Sequence, residues 1–199
     1  MTRLYEIRKT AAYHLTQMVV RFLAKTPITP NAITWFGFSL TLVATALVTT
    51  KHLFAAGLVV LIAGFFDMLD GALARSTNRS TRFGAVLDST LDRLAEALLL
   101  LGLLFFYAGE QSVAGILLVG AALFSSLMVS YIKARAEGLG LDCPVGLFTR
   151  AERVIVLALG LLLSQFAYAL IVALAIIVTF SLITAGQRLV CVWQQTRVK

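Results

Sequence analysis

The sequence predicts an all-α integral membrane protein, with six transmembrane helices preceded by an N-terminal amphipathic surface helix. Three observations predict it. Of the 199 residues, 59% are hydrophobic and only 14% charged, with a mean hydropathy of +0.89, far less polar than a water-soluble domain of this length. Apolar runs recur at roughly the ~20 residues that cross a ~30 Å hydrocarbon core. Basic residues collect at alternate ends of those runs.

The chain opens with Leu4, Ile7, Ala11, Leu15, Met18 and Phe22 at three- and four-residue steps, while Arg3, Lys9, Gln17 and Arg21 fall elsewhere. That period predicts an amphipathic helix within residues 1–28, whose basic polar side suits an anionic membrane surface. Arg3, Arg8 and Lys9 precede no prompt apolar core or small-residue cleavage site, so the segment does not read as a signal peptide. Residues 29–199 then read as a six-helix bundle, and residues 1–199 as a single membrane domain. The spans run from about Ala32 to Thr50, Leu53 to Ala74, Gly84 to Tyr107, Val113 to Ala136, Ala151 to Gln165 and Ala167 to Val192, the fifth being short.

Six spans put both termini on one side. Sixteen basic residues fall there (Arg3, Arg8, Lys9, Arg21, Lys25, Arg75, Arg79, Arg82, Arg93, Lys133, Arg135, Arg150, Arg153, Arg188, Arg197 and Lys199), against Lys51 alone on the other. Short loops rich in Lys and Arg stay in the cytoplasm, so that side is cytoplasmic and the protein belongs to the cell membrane. The net charge of +7 therefore reflects topology and anionic ligands; no nucleic-acid motif accompanies it. Cys143 and Cys191 form no CxxC pair and lie near no histidine, which predicts neither a disulfide nor a zinc site. His14 and His52 have no metal-ligand neighbours in sequence.

The chemistry concentrates between Asp67 and Asp92. Asp67 and Asp70 close the second span and Asp88 and Asp92 open the third, all on the cytoplasmic side. Steps of three and four residues share a helix face, so two consecutive antiparallel spans can aim two carboxylate pairs into one gap. Gly71 and Gly84 remove side chains beside it, letting a phosphate approach the backbone. Oxygen-only ligands select hard cations such as Mg²⁺ or Mn²⁺, and four carboxylates suffice for two of them. Two such cations stabilise the attacking and leaving oxygens of a phosphoryl transfer, and a carboxylate can take the attacking hydroxyl's proton. An ion-pair network with Arg75, Arg79, Arg82 and Arg93 is the competing structural reading. A transporter would place such acids near the bilayer midplane, often in repeated halves; here they gather at one face and no second Asp-rich half exists.

Written out, Asp67-x2-Asp70-Gly71-x2-Ala74-Arg75-x8-Gly84-x3-Asp88-x3-Asp92 resembles the signature of the CDP-alcohol phosphotransferases at all eight fixed positions. The resemblance implies a membrane enzyme of phospholipid synthesis in which an acceptor hydroxyl attacks the lipid-side phosphate of a CDP-lipid such as CDP-diacylglycerol and CMP leaves. It implies metal binding by Asp67, Asp70 and Asp88, with Asp92 contributing to the second metal and serving as general base. It assigns CDP-lipid contacts to Gly71, Arg75, Thr81 and the stretch Pro30, Asn31, Ala32 and Ile33, although a proline and a capping residue also make an ordinary helix start. Members are commonly homodimers.

Lys133 closes the fourth span, Arg153 opens the fifth, and Arg188 lies in the last turns of the sixth. Together they suit a phosphate on the acceptor, though basic residues at helix ends also snorkel to headgroups. This arrangement and Asp92-Arg93 resemble the phosphatidylinositol-phosphate synthase branch, implying inositol 1-phosphate as acceptor, with glycerol 3-phosphate as the alternative. Thr149-Arg150-Ala151-Glu152-Arg153 departs from the Glu-Arg-Pro-Glu-Arg often found in that branch, and 138–149 has no counterpart that the resemblance explains.

Overall fold

The computed structural model describes residues 20, 22, 26, 29–77 and 81–197. Six α-helices account for most of them: α1 (Pro30–Thr49), α2 (Leu53–Ser76), α3 (Arg82–Gly109), α4 (Val113–Gly138), α5 (Arg150–Leu162) and α6 (Ala169–Arg197). The expected surface helix falls almost entirely outside the described residues. Four of the six, α1, α2, α4 and α6, are long and apolar enough to cross a membrane. Of the other two, α3 carries Asp88, Asp92, Arg93 and Glu96 within its first 15 residues, and α5 has only 13 residues.

Local chemistry sets the ends of these helices. Thr29 starts α1, its hydroxyl and carbonyl oxygens both accepting from the Ala32 N–H, and Pro30 takes the first helical position, where a missing N–H costs nothing. Helices α1, α3 and α4 end in one motif. His52, Ser112 and Leu141 donate to the carbonyls of Leu47, Tyr107 and Ala136, leaving Lys51, Gln111 and Gly140 at φ 67°, 54° and 71°. This is the Schellman ending, whose left-handed residue is usually glycine; here two of the three are not. At the start of α5, the Glu152 carboxylate accepts from both the backbone N–H and the hydroxyl of Thr149.

The chain divides into two compact units. The first holds residues 1–40 and 62–94. Its core is Val20, Ile33, Leu69 and Leu73, flanked by Phe65, Phe66 and Ala72. Gly37 lets α1 approach α2 at Ala63, Phe66 and Asp67, and Phe36 meets Phe66 edge to face at 4.8 Å. The second unit holds residues 41–61 and 95–199. Leu100, Leu103, Val119, Ala122, Leu161, Leu174 and Ile177 fill its core, and α6 packs against both α4 and α5. Phe105, Leu117 and Phe124 point outward and are each more than 60% exposed, as expected of helices whose surroundings are lipid rather than water.

Candidate active site

In the first unit, α2 presents Asp67 and Asp70 on one face. Thr81 caps the N-terminus of α3, its Oγ1 accepting from the Gly84 N–H at 2.9 Å. The helix so started brings Asp88 to the α2 pair: one carboxylate oxygen from each of Asp67, Asp70 and Asp88 lies within 4.8 Å of the other two. Asp92, one turn further along α3, stands outside this group of three and is half-buried.

Asp70 is the most enclosed member, at 3% exposure. Thr34 of α1 and the carboxylates of Asp67 and Asp88 are its polar neighbours. Its Oδ1 accepts from the Gly71 N–H, and its Oδ2 is buried with no hydrogen-bond partner among the described residues. Three carboxylates this close repel one another unless a proton or cation lies among them, and a buried oxygen without a partner is costly. An all-oxygen donor set with an unsatisfied buried atom fits a hard divalent cation such as Mg²⁺ or Mn²⁺.

The residues expected to hold the CDP-lipid surround the same helix ends. A Cβ added to Gly84 would come within 2.9 Å of Thr81 Oγ1 and 3.1 Å of Asn31 Oδ1, so Gly84, Thr81 and Asn31 meet and a larger residue would have to displace the threonine hydroxyl or the asparagine amide. Arg75 reaches back over Gly71, its guanidinium 3.4 Å from where a Cβ would lie. Ala32 is exposed and Pro30 half-buried, while Ile33 is only 5% exposed and packs with Leu69 and Leu73. The ordinary helix start at Pro30 is therefore present in full, with Asn31 still reaching the glycine.

The three cations expected at the acceptor's phosphate all lie in the second unit. Lys133 and Arg188 line one small pocket with Glu137 and Cys143; Lys133 sits 3.7 Å from Glu137. Arg188 is buried, its Nε donating to the Val145 carbonyl and its Nη1 to that of Val129, at 3.1 and 2.6 Å. Arg153 does not line that pocket, yet its charge is felt by Arg188. It is 2% exposed and bound at both Nε and Nη2 by Glu96 of α3. Sequence reading passed over Glu96, which lies 57 residues from its partner.

One expectation is overturned. Cys143 and Cys191 form a disulfide, 48 residues apart in sequence with Cα atoms separated by 6.1 Å. No local motif announces it. The segment after α4 folds back along α6, the Leu147 and Phe148 N–H groups bonding Gln187 and Thr184 and Gln195 bonding the Asp142 carbonyl, which carries Cys143 to the last turns of α6.

Helices apolar on their outer faces, with a metal-competent carboxylate cluster where two of them meet, define a membrane enzyme that handles phosphate esters. Residues 27–184 match the CDP-alcohol phosphatidyltransferase family, and the chain belongs to it. It is 41% identical over 167 residues to the archaetidylinositol phosphate synthase of Methanothermobacter thermautotrophicus, covering 83% of each chain. With the phosphatidylinositol phosphate synthase of Mycobacteroides abscessus it shares 37% identity over 180 residues, 88% of this chain and 82% of that one. The crystal structure of Mycobacterium tuberculosis phosphatidylinositol phosphate synthase with CDP-DAG bound matches the fold at a TM-score of 0.81 and 36% identity, covering 90% of this chain and 94% of that one. A second structure of that enzyme, in complex with manganese and citrate, matches at 0.79 and 36% identity, covering 89% and 88%.

Proposed function

We propose that this enzyme transfers the phosphatidyl group of a CDP-lipid to a hydroxyl of inositol 1-phosphate, forming a phosphatidylinositol phosphate and releasing CMP. The acceptor oxygen bonds to the lipid-side phosphorus as the bond from that phosphorus to the CMP oxygen breaks, and the hydroxyl proton passes to Asp92. Asp67, Asp70 and Asp88 hold divalent cation, with Asp92 contributing to a second. Bound there, the cations neutralise the diphosphate and the charge that develops as CMP leaves. Asn31, Gly84 and Thr81 cradle the CDP moiety together with Pro30, Ala32 and the backbone at Ile33. Gly71 leaves room for it and Arg75 pairs with its phosphates. Lys133, Arg153 and Arg188 bind the acceptor's phosphate.

The carboxylate cluster around Asp70 carries the metal-dependent transfer. The acceptor is supported by the relatives: an archaetidyl and a phosphatidyl enzyme differ in lipid yet share inositol phosphate in their names. We extend the proposal to six membrane crossings, a cytoplasmic-facing site and a homodimer. The test is CMP release by purified protein supplied with CDP-diacylglycerol or its ether counterpart, Mg²⁺ or Mn²⁺, and one of inositol 1-phosphate, glycerol 3-phosphate, inositol or serine. Release only with metal and inositol 1-phosphate is expected. Preference for glycerol 3-phosphate would replace the acceptor, and full activity in chelator, or metal flux without CMP, would overturn the reaction.

A further inference from the structure

We infer that Glu96 is the positioning residue of the acceptor-phosphate site, acting through Arg153; the inference rests on the proposed binding of that phosphate by Arg153. Arg153 Nε donates to Glu96 Oε1 at 2.6 Å and Nη2 to Oε2 at 2.8 Å, a two-point grip on one edge of the guanidinium. A planar fork held along one edge has its plane and direction fixed. What the grip leaves is Nη1, which is buried and has no hydrogen-bond partner among the described residues. Nη1 carries two donors, and leaving them unmade in a buried site costs the full desolvation of a charged group.

Arg188 sharpens the point. Its Nε and Nη1 are spent on the carbonyls of Val145 and Val129, and its charge and that of Arg153 oppose one another. Two buried, mutually repelling guanidiniums are an expensive arrangement for stability alone, because apolar packing usually does as well as a buried ion pair. They are what a dianionic phosphate needs. Glu96 offsets one of the two charges while the site is empty and keeps Arg153 from turning to solvent or to another acceptor. The carboxylate touches neither lipid nor acceptor in this scheme, so its contribution is orientation, and it enters through binding rather than through the chemical step.

The test is a pair of saturation curves on full-length protein in detergent, measuring CMP release against inositol 1-phosphate and against CDP-diacylglycerol. Glu96→Gln keeps the size but places an amide nitrogen where one donor needs an acceptor. It is expected to raise the acceptor KM about tenfold, with kcat falling less than threefold and the CDP-diacylglycerol KM unmoved. Glu96→Asp is expected to fall between. Adding Glu96→Gln to Arg153→Ala should raise the acceptor KM no further, since nothing remains to orient. An unchanged acceptor KM in Glu96→Gln, a parallel rise in both KM values, or additive effects in the double variant would overturn the inference. If Glu96→Gln does not fold, Glu96→Asp and inhibition by inorganic phosphate take its place, weaker inhibition being expected and wild-type inhibition overturning it. A wild-type enzyme that uses glycerol 3-phosphate instead removes the acceptor assignment, and the same KM pattern on that substrate would still uphold Glu96. One that uses only unphosphorylated acceptors removes both.

Discussion

Asp92 differs from the other three aspartates in where it stands: Asp67, Asp70 and Asp88 share one cluster and Asp92 lies a turn beyond it. If it acts chiefly as base, Asp92→Asn should lower kcat by roughly 10²–10⁴ while the CDP-lipid KM stays within about threefold, because proton transfer belongs to the transition state and ground-state binding does not. Asp70→Asn should instead lose both, having taken the most buried carboxylate from the cluster. Rates of CMP release over a range of CDP-lipid concentrations decide between them, and equal losses in Asp92→Asn would make it a metal ligand first. The contrast also marks what sequence could reveal. The aspartates were legible because spacings of three and four residues fix a helix face before any tertiary structure is known. Glu96 and Arg153, 57 residues apart, and Cys143 and Cys191, 48 apart, meet only through the packing of different elements, and no local period encodes that.

Helix ends show the same division between local signal and context. Gly140 occupies the left-handed position after α4, as a Schellman ending favours, and could be anticipated; Lys51 and Gln111 occupy the equivalent positions after α1 and α3 with side chains that pay about 1–2 kcal/mol for that backbone. Gln111→Gly should therefore stabilise, by roughly 0.5–1 kcal/mol once the greater freedom of glycine in the unfolded chain is subtracted. Gly140→Ala should destabilise by a similar amount, since nothing lies within 4 Å of its added Cβ and only the backbone is strained. At roughly 2–4 °C per kcal/mol for a chain of this size, the two midpoints in detergent should move apart by several degrees. Midpoints that coincide, or move in the opposite sense, would show that neighbouring contacts rather than φ set these ends.

For the molecule as a whole, the proposal of six crossings turns on α3 and α5. Four meet the length and hydropathy of a span, whereas α5, at 13 residues, is roughly 20 Å long against a hydrocarbon core of about 30 Å. Charge argues for six. If neither α3 nor α5 crossed, Lys133, Arg135, Arg150 and Arg153 would join Lys51, and the division of basic residues would fall from sixteen against one to twelve against five. Contacts inside the second unit point the same way. Lys51, in the turn after α1, pairs with Glu110, just past the end of α3, at 2.5 Å, so those two helix ends share a level. Gly57 near the start of α2 lies against Leu162 at the end of α5, and Gly160 against Leu170 and Ala173 at the start of α6, while Phe148, just before α5, bonds Thr184 just past the middle of α6. Within the second unit the ends of α3 and α5 thus lie at the levels the proposed crossings call for, and a short α5 can cross by local thinning of the bilayer or by extension through the turn at 163–168. In a chain with Cys143 and Cys191 replaced by serine, single cysteines at Thr50 and Gly109, both exposed, should react with a membrane-impermeant maleimide on intact cells. One at Gly138, also exposed, should react only after permeabilisation. Labelling of Thr50→Cys and Gly138→Cys on intact cells, with Gly109→Cys reached only after permeabilisation, would leave α3 on one side of the membrane and remove the six-span topology.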